Sequence, residues 1–383
     1  MKIPTAASPT RRARRDFVRS SLGVGGLLLS ANLGSAPGDN VQSGVVQRGD
    51  VQVSGTQRGG TQSAQSLNWK SRALIGFGTT LWLRAAHPDG ARTDRALDAA
   101  VHELRGIEAI MSLFKMDSEL SRLNRYGQLS NPDARLVELI RLANTVSQAS
   151  DGAFDVSVQP LWSAWQSAAQ AARLPTAIEL DSARARVGWQ GIQLDERQIR
   201  LKAGMALTLN GIAQGYAADR VRTLLIAHGI EHALLDTGEW SALAPDFKTM
   251  NWRLGVANPL VEQQLIATLV ADGRSIATSS DQHTRFNADP RHHHIFDPRT
   301  GFSPTSLSSV TVLAASCALA DALTKVFFMI DRSLSEPASG LANAGEHNAL
   351  IRQARTLLER WQVDVLLVDK QGHWWASDGL PLA

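Results

Sequence analysis

The stretch "LTLNGIAQGYAADR", residues 207–220, changes period partway along. Leu207 and Leu209 alternate with Thr208 and Asn210, the two-residue repeat of a strand. Small residues follow, and then a helical pattern that runs on through "VRTLLIAHG" to a stop at Gly229. A strand that passes into a helix through such a turn presents N–H groups that can receive a phosphate and carbonyls that can receive a cation.

The two periods alternate on both sides of this stretch. Upstream, "ALIGFGTTLWLRAAH" reads as one strand, and "TDRALDAAVHELRGIEAIMSLF" as a helix with Thr93 or Asp94 as its N-cap. "PDARLVELIRLANTVSQAS" is a second helix with Pro132 near its first turn, "PLWSAWQSAAQAA" a third, and "IQLDERQIRLK" a hairpin around Asp195 and Glu196. Downstream, "HALLDTG", "WRLGVANP", "LIATLVADGRSIATSS" and "SVTVLAAS" are strand-like. "LADALTK" is helical, a further helix covers 345–361, and "VDVLLVDK" and "HWWAS" are closing strands. No Pro/Ser-rich break divides residues 68–383, which predicts a single α+β domain with mixed sheets flanked by helices. With 44% apolar and 20% charged residues, 383 residues are enough for a large core.

Charge is unevenly placed. Residues 1–36 hold Lys2, Arg11, Arg12, Arg14, Arg15 and Arg19 against Asp16, a net of +5 within a chain total of +3. The remainder is slightly acidic, so the basic balance belongs to the leader and gives no argument for nucleic-acid binding. The leader has a basic start, a short Gly/Leu-rich apolar run and small residues at its end, the grammar of a signal peptide. Arg14 and Arg15 followed by Asp16, Phe17 and Val18 fit the twin-arginine pattern, which predicts export to the periplasm with only transient membrane contact. Residues 37–67 are a Gln/Gly/Ser-rich tether with a loose five-residue repeat, too polar to order itself. The one cysteine, Cys317, excludes an intrachain disulfide and a multi-cysteine metal site.

Six blocks are too specific to be generic core. They are "MSLFKMDSELSRLN" (111–124), read as a polar loop after a helix, and "SDGAFDVSVQPLW" (150–162) around a turn glycine. The turn at 207–220, "SIATSSDQHTRF", "HHHIFDPRTG" (292–301) and "SVTVLAASCALADALTK" complete the set. The last carries Asp321, Thr324 and Lys325 on one face of an apolar helix. Consecutive His292, His293 and His294 alternate sides on a strand, so at most two could share a metal.

In this order the blocks resemble the ApbE family of FAD:protein FMN transferases, over roughly residues 74–330. That resemblance implies an enzyme that splits FAD with Mg²⁺, releases AMP and attaches FMN by a phosphoester to a Thr or Ser of an acceptor flavoprotein, a subunit of a membrane redox complex. Position by position it implies flavin contacts from Phe77, Phe114 and Ile295, and an adenosine-side loop at Ala153, Phe154 and Asp155. It implies a phosphate and metal turn at Asn210 and Ala213, metal ligands at Asp321 and Thr324, and a catalytic histidine at His294. A metal would neutralise the diphosphate and an imidazole would serve as base for the acceptor hydroxyl. Phe114 and Phe154 would equally suit a core. This chain departs from the pattern at Phe77 (often Met), Gln214 (often Lys), Thr237 and Ser280 (glycines) and Lys325 (often Thr). Two other functions would use the same site: an FAD pyrophosphatase that passes FMN to water, and a non-catalytic FAD-binding accessory protein.

Overall fold

The computed structural model describes residues 27–28, 66–250, 252–282, 284–330 and 342–383. The expected leader and tether lie outside these residues, apart from Leu27–Leu28 and residues 66–67. Among the described residues no helix is long and apolar enough to cross a membrane.

Alternating apolar residues build the centre of the fold. In β3 (Thr79–His87), Leu81, Leu83 and Ala85 face one way and Trp82 the other. The same parity recurs in β7 (His232–Asp236), β12 (Leu307–Ala314) and β13 (Asp364–Asp369), where Val365 and Leu367 oppose Leu366 and Val368. With β2 (Asn68–Gly76), β8 (Trp240–Leu243), β11 (Ser275–Ser280) and β14 (Trp374–Ala376) they make one eight-stranded sheet, ordered β14-β13-β12-β11-β8-β7-β3-β2. Every neighbouring pair is antiparallel. Both faces are apolar because both are covered.

Helices cover one face. They include α1 (Gly90–Met111), α2 (Glu119–Tyr126), α3 (Ala134–Ala149) and, after α4 (Gln159–Gln170) and α5 (Ala177–Arg184), which make a separate small core around Trp165 and Phe296, α6 (Ala213–Ala227). After the single turn α7 (Phe247–Met250) come α8 (Cys317–Phe328) and α9 (Ala342–Trp361). A second core, around Trp252, Leu254 and Leu269, lies under the hairpin β9–β10 (Arg253–Ala257, Leu265–Val270) on the opposite face. Leu27–Leu28 (β1) pairs with the edge of that hairpin. A small sheet of β4 (Gln128–Ser130), β5 (Ile192–Leu194) and β6 (Gln198–Leu201) sits apart. The α+β architecture expected from the two periods is the one observed.

Local readings differ at several places. Residues 73–87 are two strands, because Phe77 (φ 50°) and Gly78 (φ 78°) turn the chain between β2 and β3. Both turn residues have positive φ, the conformation of a two-residue hairpin turn, and a phenylalanine does not announce it. Helix α1 is capped not by Thr93 or Asp94 but by Asp89, whose side chain accepts from the N–H groups of Ala91 and Arg92. Within 111–124, residues from Glu119 are helical, with Ser118 as N-cap. Residues 177–184 are helix α5, opened by a capping box of Thr176 and Glu179. Finally, residues 207–210 are not in a sheet. Their pairing partner is a side chain: Asn124 accepts from Leu207 N–H at 2.7 Å and donates to its carbonyl at 2.8 Å.

Candidate active site

Helix α8 enters the core at its polar face because three contacts hold it there. Ser316 caps it, accepting from Leu319 N–H. Asp219, on α6, accepts from Cys317 N–H at 2.8 Å, from Ala318 N–H at 2.9 Å and from Ser316 Oγ at 2.7 Å. Anionic charge at a helix N-terminus is favourable. Burial pushes the Asp219 carboxyl up, and these three donors pull it back. Gly215 lets α6 approach α8: a Cβ there would stand 2.3 Å from the Cys317 carbonyl oxygen. Asp321 and Lys325 thereby face a cavity of about 410 Å³, well inside the roughly 300–1,000 Å³ of small-molecule sites.

Ten of the eleven expected residues line that cavity. Phe77 stands at the hairpin turn, its N–H donating to Glu108 Oε1 at 3.1 Å. Phe114, on the loop between α1 and α2, is 56% exposed, so its ring is a wall and not part of the core. Ala153, Phe154 and Ile295 are buried in the wall, and Asn210 is exposed on the turn before α6. Asp155 lines the cavity, but its oxygens are engaged: Oδ1 accepts from Ser157 N–H and Oγ–H, and Oδ2 from Trp189 N–H. It braces the loop; burial raises its pKa against those donors.

His294 sits in the wall with Nδ1 3.3 Å from the Thr284 carbonyl. Against a carbonyl Nδ1 can only donate, so in the neutral ring Nε2 carries the lone pair that a base needs. Its neighbours do other work. His293 is fully buried: its Nδ1 lies 3.4 Å from Ile295 N–H and its Nε2 3.0 Å from the Pro304 carbonyl. Burial lowers its pKa to about 4. His292 lies 5.1 Å from the Trp165 ring, centroid to centroid. The three imidazoles diverge, and among the described residues no group of three or more His, Cys, Asp or Glu could hold a metal ion. Asp297, after the block's isoleucine and phenylalanine, forms a turn, its backbone carbonyl accepting from Gly301 N–H at 2.8 Å.

The expected metal ligands are the exception to the pattern. Thr324 is fully buried and absent from the cavity wall. Its hydroxyl pairs with Ser279 Oγ at 2.7 Å and reaches the Asp321 carbonyl at 2.6 Å. Asp321 is 1% exposed, and both its oxygens have partners: Lys325 Nζ at 2.5 Å on Oδ1 and Gly215 N–H at 3.3 Å on Oδ2. Ala213 keeps its place in the wall. With Lys325 seated there, a divalent cation does not fit this donor set: the carboxylate it would need already holds a cation, and the hydroxyl points elsewhere.

One carboxyl of the cavity wall escaped the sequence reading. Glu239, in "DTGEW", lines the cavity at 4% exposure and accepts from Thr278 N–H at 3.0 Å. Burial, and then the charge of Asp321, push its pKa well above the ordinary carboxylate value. The signal available was an acid at the end of a strand-turn in an otherwise apolar stretch. Gln214 also lines the cavity, packed where Gly238 (φ 96°) has no side chain.

The family model described as the ApbE family matches residues 77–345. The chain is 29% identical over 304 residues to an FAD:protein FMN transferase of Vibrio cholerae, spanning 76% of this chain and 85% of that protein. It is 30% identical over 248 residues to one of Klebsiella pneumoniae, spanning 61% and 76%. Its fold is similar to the ApbE protein of Thermotoga maritima, with a TM-score of 0.69 at 23% identity over 81% of this chain and 97% of that one. It is similar also to the flavinyl transferase ApbE of Pseudomonas stutzeri, with a TM-score of 0.66 at 25% identity over 82% and 95%. With a match over most of its length and a site assembled from the same blocks, this chain belongs to the ApbE family.

Proposed function

We propose that this chain is an FAD:protein FMN transferase. The observation that carries the reading is the assembly of one cavity from separate sequence blocks, with an exposed aromatic wall at Phe114 and a histidine at its edge. Relatives bearing that name at about 30% identity support it. In this reading the isoalloxazine ring lies against Phe114 and Phe77, and the adenosine end lies toward Ala153 to Asp155. The acceptor hydroxyl oxygen bonds to the phosphorus of the FMN half as that phosphorus loses its bridging oxygen to AMP. The hydroxyl proton passes to His294 Nε2. The Asn210 side-chain amide and the Gly211 N–H of the turn before α6 serve the diphosphate in this reading, the N–H groups of Asn210, Ile212 and Ala213 being taken up by Thr208 Oγ1 and the Leu209 carbonyl.

Mg²⁺, expected as cofactor, would have to displace Lys325 from Asp321; when bound, such an ion would neutralise the diphosphate. The acceptor is a flavoprotein carrying a Thr or Ser, inferred further to be a subunit of a membrane redox complex. The twin-arginine pattern at Arg14 and Arg15 supports a periplasmic location for this chemistry.

Incubation with FAD and an acceptor domain, followed by mass spectrometry of the acceptor, tests the reading. A mass increase equal to FMN, with release of AMP, is expected. FMN and AMP free in solution, equally with and without acceptor, would mean that the chain is an FAD pyrophosphatase. Bound but intact FAD would make it an accessory protein.

A further inference from the structure

Lys325 reaches the cavity from the fourth position after Asp321 on α8 and points its ammonium back along the helix. Nζ donates to Asp321 Oδ1 at 2.5 Å and to the Asp321 carbonyl at 3.0 Å. An ammonium has three donors, so these two bonds leave one N–H for the cavity that Lys325 lines. The stem crosses Gly211: a Cβ there would stand 3.2 Å from Lys325 Cε and 3.6 Å from Cδ. The lysine is therefore seated between the turn before α6 and the carboxylate of α8, where it is only 20% exposed. A cation so held, close to the first N–H groups of a 15-residue helix, gives the cavity a positive floor made by the chain itself. Nearby, Glu239 adds a second buried carboxyl on the same side.

We propose that Lys325 stands in for a divalent cation in this chain: its ammonium, fixed by Asp321, is the counter-charge to the diphosphate of FAD, and FAD binds without metal. This rests on the flavin-transfer reading above. Asp321 then acts as a positioning residue that aims the ammonium. The carboxylate alone, without the lysine, would be an anionic site open to Mg²⁺.

The test is FAD titration by flavin fluorescence, in EDTA and in Mg²⁺, for the wild type, Lys325→Thr and the double variant Asp321→Asn/Lys325→Met. Wild-type affinity is expected to agree within about two-fold in the two buffers. Lys325→Thr in EDTA should bind FAD at least about ten-fold more weakly, the scale of a lost charge-assisted contact, and Mg²⁺ should restore it. The double variant keeps the cavity without the Asp321–Lys325 charges; it should bind as weakly as Lys325→Thr in EDTA and gain nothing from Mg²⁺. Wild-type binding that appears only with Mg²⁺ would overturn the proposal while leaving the flavin reading standing. So would Lys325→Thr binding like the wild type in EDTA. A wild type that binds FAD in neither buffer would overturn the flavin reading, and this proposal with it.

Discussion

Lys325 Nζ lies 2.5 Å from Asp321 Oδ1, and the carboxylate is 1% exposed while the lysine is 20% exposed. The pair is therefore a buried one, not a surface bridge of about 0–1 kcal/mol. Removing one member of a buried pair strands the other. Lys325→Met should cost roughly 3–5 kcal/mol of stability. Asp321→Asn/Lys325→Met, which removes both charges, should recover most of that. Chemical denaturation of the two variants measures the difference; equal midpoints would mean that the lysine contributes nothing to holding the carboxylate.

Phe114 is 56% exposed and lines the cavity. Its removal should leave stability within about 0.5 kcal/mol, as for other surface positions. An aromatic stacked on a flavin ring contributes on the order of 0.5–1.5 kcal/mol beyond area burial. Phe114→Ala should thus weaken FAD binding by about two- to ten-fold at unchanged denaturation midpoint. Unchanged affinity would place the ring elsewhere.

The histidine block separates two roles. His294→Ala should abolish FMN transfer and spare FAD binding, read by acceptor mass and flavin fluorescence together. His293 acts on stability. Its folded pKa is depressed to about 4 from 6.5 because burial penalises the charged ring. A second proton would also set an Nδ1 donor against Ile295 N–H. Between those two values the unfolded chain binds the proton more tightly. Stability from this group is complete above the unfolded value and falls by about 1.4 kcal/mol per pH unit as pH drops toward the folded one. His293→Gln should lower stability at neutral pH and flatten this acid slope. Wild type and variant losing stability in parallel from neutral to acid would remove His293 as the cause.

Gly215 stands where α6 and α8 touch, with 2.3 Å between a built Cβ and the Cys317 carbonyl oxygen. That contact is backbone, so no rotamer change relieves it. Gly215→Ala should cost at least about 1–3 kcal/mol and should shift Asp321 relative to Gly215 N–H, weakening FAD binding as well. A variant with wild-type stability and affinity would show that the two helices can separate freely.

Export gives a test away from the cavity. Changing Arg14 and Arg15 both to Lys should leave the precursor in the cytoplasm, followed by fractionation and blotting. Normal periplasmic accumulation would sink the twin-arginine assignment.

Local chemistry carried much of this molecule. Alternating Leu81, Leu83 and Ala85 and the periodic helices are short-range properties, and they were enough for the α+β class; the ten residues of the cavity wall came from the resemblance of the six ordered blocks to the ApbE family. Even the Asp321–Lys325 spacing is a one-turn relation visible in the chain. What the chain could not reveal is which groups meet across elements. Phe77 turns a hairpin because β2 and β3 pair, not because phenylalanine prefers positive φ. Asn124 closes a strand-like stretch from 83 residues away. Thr324, on the same helix face as Asp321 by spacing alone, faces Ser279 of β11 and leaves the cavity, whereas Glu239 of "DTGEW" enters it. Whether Asp321 meets a metal or a lysine depends on how closely α8 packs on α6, and that closeness comes from Gly215 and Asp219, more than a hundred residues earlier in the chain. Periodicity decides which way a side chain leaves its own element; the packing of elements, driven by apolar burial over the whole core, decides what it finds there.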